Sequence, residues 1–203
     1  MKKHTTTCWV AIFIAVLAWS ATRPADTFTW FLEVIPALVA VVVLAVTRKR
    51  HSLTSLAYIL ILAHCIILMV GGHYTYAEVP LFNWIRDAFG LARNNYDKVG
   101  HLAQGFVPAI IAREILIRAN VVNGRIWRHF LVVCFCLAFS ALYELVEWWV
   151  ALLIGDSAEA FLGTQGYVWD TQSDMAMALL GAILALLLLS RVHDRQLARL
   201  LPT

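Results

Sequence analysis

Residues 127–154 read WRHFLVVCFCLAFSALYELVEWWVALLI. Apart from Arg128, His129 and two glutamates the run is apolar. It is also longer than the roughly 20 residues a helix needs to cross the hydrocarbon core of a bilayer. Its apolar residues come in blocks, without the one-sided spacing of a helix that keeps a wet face, and that marks a segment dissolved in lipid. A fold built on this stretch has to hold it in a membrane and account for Glu144 and Glu147 within it.

The rest of the chain has the same habit. Of its 203 residues 61% are hydrophobic and 14% are charged, against about 25% charged in an ordinary soluble domain. Further spans are expected at about Cys8–Ser20, Phe28–Thr47, Leu53–Gly72, Val99–Ile117 and Ser173–Ser190. Together they predict an all-α, polytopic membrane helix bundle of about six transmembrane helices, forming one integral membrane domain over residues 1–203. Lys2 and Lys3, ahead of a short apolar stretch ending in AWSA, also fit a signal peptide. The multispanning remainder favours retention of this segment as the first helix.

Lysine and arginine set the expected orientation. One face receives Lys2, Lys3, Arg48, Lys49, Arg50 and every arginine from Arg113 onward, which makes 12 of the 16 basic residues. That face is expected in the cytoplasm, with both termini inside. Acidic residues divide the other way: only Glu114 and Asp194 fall on the inner face, leaving 11 of 13 on the outer side. The basic excess therefore reports topology and contact with anionic headgroups, and nucleic acid is not an expected partner.

Two outer loops are unusual. Within residues 73–98, PLFNWIRDAFGL spaces Phe82, Ile85 and Phe89 as a short interfacial helix would. Residues 155–172, GDSAEAFLGTQGYVWDTQ, mix glycine, polar and aromatic groups. Both loops are expected to fold over the bundle. Cys8, Cys65, Cys134 and Cys136 all lie in apolar runs and read as buried small hydrophobes.

Charges inside a span cost a few kcal/mol or more and tend to face a bundle interior or a wet cavity. Here they form stripes. YDKVGH at 96–101 places Asp97 and His101 on one helical face, with Gln104 one turn on. Ser140, Glu144 and Glu147 form a second stripe, and Asp170 with Asp174 a third. All three lie toward the outer side and predict a funnel opening outward, with Glu144 at its bottom, about 15 Å below the end of its helix.

Five facing carboxylates cannot all stay ionised in a low dielectric, so protons or cations must neutralise them. Histidine with several carboxylates suits zinc, manganese or iron. The candidate ligands of such a divalent metal are His101, Glu147, Asp174 and Asp170; the candidate catalytic pair is Glu144 and Glu147. Asp97, Lys98 and His73 are expected around the cavity. Capping of helix N-termini is a competing account of Asp97 and Asp170, but it does not reach the mid-span glutamates. His64 reads as a hydrogen-bonded core histidine. Glu33, near Pro36, faces either the same cavity or an interface.

NNYDKVGHLAQGFVPAIIARE, SALYELVEWW and LGTQGYVWDTQSDMAMALLGA together resemble the YjdF family of bacterial inner-membrane proteins. A looser similarity to VanZ-like membrane proteins rests on Asp97, Lys98 and His101, on Glu144 or Glu147, and on Asp170 with Asp174. The Asn usual one turn after the last Asp in those proteins is missing here, where Met177 or Ala178 stands. The YjdF resemblance implies a multi-pass protein of the bacterial inner (plasma) membrane and brings no substrate with it. Three functions compete. One is a metal-assisted intramembrane hydrolase acting on a lipid or glycopeptide from the periplasmic side. Another is a small proton-linked transporter, weakened by polar groups confined to one side. The third is a non-catalytic protein that binds a lipid, a small molecule or a partner.

Overall fold

The computed structural model of the chain describes residues 3–155 and 159–200. Lys2 of the charge bias and residues 156–158 of the second outer loop lie outside the described residues. Those described are helical, without a strand: α1 (Lys3–Ser20), α2 (Thr27–Thr47), α3 (Ser55–Tyr74), α4 (Pro80–Phe89), α5 (Tyr96–Arg118), α6 (Arg125–Ile154), the single turn α7 (Glu159–Leu162) and α8 (Asp170–Leu197). Among the described residues, four helices are long and apolar enough to cross a membrane: α2, α3, α6 and α8. The stretch that decided the fold is the core of α6.

Each long helix starts and stops for local reasons. Asp26 caps α2 by accepting the Thr29 backbone N–H at 2.7 Å, a bond that favours the ionised carboxyl and holds Asp26 below its usual range. Thr54 caps α3 in the same way. That helix ends on Thr75 in the left-handed region. Proline opens α4 at its first turn, where no amide partner is needed.

α4 buries none of its residues and exposes Leu81, Trp84 and Phe89. That is the composition of an element lying at an interface. Among the cysteines, Cys65 and Cys136 are buried as expected, whereas Cys8 and Cys134 sit on the exposed surface. Their runs present apolar residues outward as well as inward, as a lipid-facing helix does.

α5 is the hub. It packs against α3, α6 and most extensively α8, while α1 and α2 pack on α3. Two glycines let α5 and α8 touch backbone to backbone. A Cβ on Gly105 would stand 1.8 Å from the Ala178 carbonyl oxygen, and one on Gly181 would stand 2.1 Å from that of Leu102. Small residues at such crossings are how helices associate without a hydrophobic driving force. Below the crossing Ala109, Ile110, Val132, Cys136, Ala182 and Ala185 form one core; Trp9, Phe13, Val34, Ala37, Ile61 and Met69 form another around α3.

Candidate functional site

The end of the bundle where α5 and α8 begin, here the upper end, collects the charges. Arg93, just before α5, forms ion pairs with Asp97 and, at 2.5 Å, with Asp170. It also donates to the carbonyls of Gly163 and Thr164, each at 3.1 Å. The Lys98 ammonium lies 2.7 Å from both Asp170 Oδ1 and Asp174 Oδ1, and 3.3 Å from Asp97. The Tyr167 ring lies 5.7 Å from both cations. Gln165 exchanges hydrogen bonds with the Asn94 backbone. These contacts fold residues 163–170 over the bundle, and they use Asp97 and Asp170 as counter-charges. Neither holds the N-cap position, which Asn95 and Trp169 occupy without side-chain capping bonds, although Asp97 Oδ1 also accepts the Lys98 backbone N–H at 2.8 Å.

One turn deeper the charges become sparse. His101 Nδ1 lies 3.7 Å from Glu144 Oε1, and its Nε2 lies 3.8 Å from Asp174 Oδ1. Gln104 Oε1 lies 3.1 Å from Nδ1. His101, Glu144 and Asp174 each offer a ligand atom, and these lie within 4.8 Å of one another. Glu144 Oε1 is buried and has no hydrogen-bond partner, as is the Ser140 hydroxyl one turn below. A buried, unpartnered carboxylate oxygen is costly in a protein interior. Here it faces the imidazole across a gap too wide for a hydrogen bond.

Beneath this group lies a cavity of about 300 Å³. His101, Asp174, Glu147, Glu33, Tyr76 and Tyr143 stand around its upper part; Pro36, Ala40, Ile61, Leu68, Ile111 and Phe139 line it below. Glu33 lies against the phenols of Tyr76 and Tyr143. The cavity reaches Phe139, more than one turn below Glu144, and Glu144 stands beside it without lining it, so it is not the bottom.

Several expectations need correcting. Glu147 does not share the ligand group with His101 and Asp174. Three residues along a helix turn it about 60° from Glu144, so it faces the cavity while Glu144 takes the place beside His101. Asp170 does join Asp174, in a second group with Asp97 whose ligand atoms also lie within 4.8 Å of one another, but there Arg93 and Lys98 already pair with the carboxylates. His73 does not approach the cavity: its Nδ1–H reaches the Ser20 carbonyl at 3.0 Å and its ring packs on Trp19. The last turn of α3 points it at the α1–α2 connection, a direction that spacing alone does not reveal. His64 lines the cavity, and so does Glu33. The cue for Glu33 was Pro36 one turn away on the same span.

The opposite end holds a polar cluster that was read only as basic anchors. Arg113 and Glu114 are buried on α5, as is His193 on α8. The Glu114 carboxylate accepts from the Thr54 hydroxyl at 2.7 Å, the Thr54 amide at 3.0 Å and Arg118 at 3.0 Å. Arg113 reaches Asp194 at 2.5 Å and His193 Nδ1 at 3.0 Å; His193 Nε2 lies 3.1 Å from Glu114. A guanidinium can only donate, so His193 Nδ1 accepts and its Nε2–H donates to Glu114.

With this geometry in view, the comparisons place the chain. A family model described as "Predicted membrane protein (DUF2238)" matches residues 5–195. The chain belongs to that family. It is also 53% identical over 184 residues to "Inner membrane protein YjdF" of Escherichia coli (strain K12), covering 91% of this chain and 88% of that protein. Neither match supports the looser VanZ resemblance. No solved structure matches the chain. The DUF2238 match spans every charged group described above, from Glu33 to Asp194.

Proposed function

We propose that this is a multi-pass protein of the bacterial inner membrane that holds a divalent metal in its upper cavity and hydrolyses a ligand there. In this reading α1 and α5 join the four long apolar helices as spans, both termini lie in the cytoplasm, and the upper end faces the periplasm. The positive-inside distribution supports the orientation, and the E. coli relative's printed description supports the membrane. α5 is not uniformly apolar because it carries Asp97, Lys98, Arg113 and Glu114; partners on α8 hold the last three, and Arg93 and Lys98 pair with Asp97. Its 23 residues are about 34 Å long.

The observation that carries the proposal is the His101, Glu144 and Asp174 donor group, with the partnerless Glu144 Oε1 aimed into it. One imidazole and two carboxylates form a ligand set that leaves a position open for water. A divalent ion there supplies polarisation of a carbonyl and acidification of a water. Glu147, on the cavity wall, accepts the proton of the attacking water. As hydroxide adds to the carbonyl carbon, the bond to the leaving oxygen breaks, and Glu147 returns the proton to that oxygen. Water is thus divided between the acid and the alcohol. The Lys98 ammonium lies 2.7 Å from Asp174 Oδ1 and offsets part of the charge of that carboxylate. Close packing at Gly105 and Gly181 argues against a transport path between the two polar ends.

The test is metal uptake by the purified protein, dialysed against Mn2+ or Zn2+ at neutral pH. Stoichiometric binding is expected, lost in His101→Ala and Asp174→Asn and kept in Glu147→Gln. Binding below one equivalent in the parent contradicts the reading.

A further inference from the structure

We propose that the ligand is a membrane lipid with one hydrocarbon tail and an uncharged polar end joined through an ester or amide, taken up sideways from the bilayer between α2 and α6. This rests on the reading of the upper cavity as a ligand site and deepens it by choosing the ligand.

The first argument is the shape and lining of the cavity. Below the polar groups its wall is Pro36, Ala40, Ile61, Leu68, Ile111 and Phe139. Between Gly100 and Ile111, both in its wall, α5 advances about 16 Å. A glycopeptide arriving from water would leave this lower chamber unfilled, whereas a hydrocarbon tail fills it. At about 300 Å³ it stands at the small end of ligand pockets, roughly 300–1,000 Å³, which suits one tail better than two.

The second argument is the gap in the helix ring. α2 packs on α3, and α6 packs on α5 and α8, but α2 and α6 do not pack along each other. What joins them is α7, lying across both at the top, and the approach of Glu33 to Tyr143. Beneath α7 the lower chamber is thus bounded by two helices that stand apart. Apolar side chains face the bilayer on both, including Phe31, Val39 and Val43 on α2 and Phe135, Phe139 and Leu142 on α6. A lipid tail can enter there without crossing water.

The third argument is charge. Glu33, Glu147 and Asp174 line the cavity, and Glu144 lies beside it. Lys98 and Arg93, the cations next to it, are already held by Asp97, Asp170 and Asp174. A phosphate or free carboxylate would find no lysine or arginine among the residues that line the cavity, whereas a neutral ester or amide needs none.

The experiment uses the full chain purified in detergent, with monoolein as the uncharged probe and lysophosphatidylglycerol of the same tail as the anionic one. Binding of both, and Mn2+ uptake, are measured on the parent, on Ala40→Trp and on Leu68→Trp. These variants project into the cavity from α2 and from α3 and leave the three donors in place. Monoolein is expected to bind the parent about tenfold or more tightly than lysophosphatidylglycerol does, and each tryptophan to weaken it about tenfold or more with Mn2+ uptake unchanged. Should only one variant fold, that one carries the result. The proposal is overturned if monoolein does not bind the folded parent, if the variants bind it as the parent does, or if the anionic probe binds equally well. A parent that binds monoolein but takes up no Mn2+ sinks the metal reading alone.

Discussion

Two clusters of buried charge sit at opposite ends of α5, and they are finished to different degrees. At the lower end both Glu114 oxygens are filled by Thr54, Arg118 and His193, and Arg113 is tied to His193 and Asp194, leaving only nitrogens without partners: Arg113 Nε and, nearby, Arg128 Nε and His129 Nε2. At the upper end Arg93 and Lys98 complete the rim, but one turn below it Glu144 Oε1 and Ser140 are left without partners beside a cavity. Buried charge alone does not mark function. A carboxylate with both oxygens filled, as in Glu114, joins helices, whereas one left with an unpartnered oxygen, as in Glu144, is prepared for something that the chain itself does not supply.

The contrast can be attacked from the largest expected effect downward. Gly105→Val drives a side chain into the Ala178 carbonyl, separates α5 from α8 and so disturbs both clusters at once. It should yield no monodisperse protein by size-exclusion chromatography; a well-behaved variant would show that the close crossing is dispensable. Glu114→Gln removes the charge on which Thr54, Arg118 and His193 converge. It should cost about 3 kcal/mol in thermal unfolding while leaving Mn2+ uptake intact. Loss of metal binding there would mean that the two ends are not independent. Asp26→Ala, remote from both, should cost about 1 kcal/mol. The Asp26 carboxyl is held below its usual range in the folded chain. Its contribution is therefore full above the unfolded carboxylate value and fades as pH falls through the folded one. Parent and variant stabilities should converge in acid.

Much of this was legible in sequence. The bilayer imposes length and apolarity, so α2, α3, α6 and α8 stood out, and four-residue spacing put Asp97 with His101 and Asp170 with Asp174. What spacing could not give was direction around the axis. A 60° difference separates Glu144, beside His101, from Glu147, on the cavity wall, and the last turn of α3 sends His73 to Trp19. The lower network was missed because its arginines also obey the positive-inside rule. Its signal was that Glu114 and Asp194 are the two acids on an otherwise basic face, each with an arginine within reach.

The most direct test compares Glu144→Gln with Glu114→Gln, unfolded by heat with and without Mn2+. If Glu144 is kept for a ligand, Glu144→Gln without metal should be as stable as the parent or more so, because an uncompensated buried charge has gone, and it should gain nothing from Mn2+, which stabilises the parent. A Glu144→Gln protein destabilised as much as Glu114→Gln, or stabilised by Mn2+ as fully as the parent, would make the upper cluster a second structural lock and contradict the account.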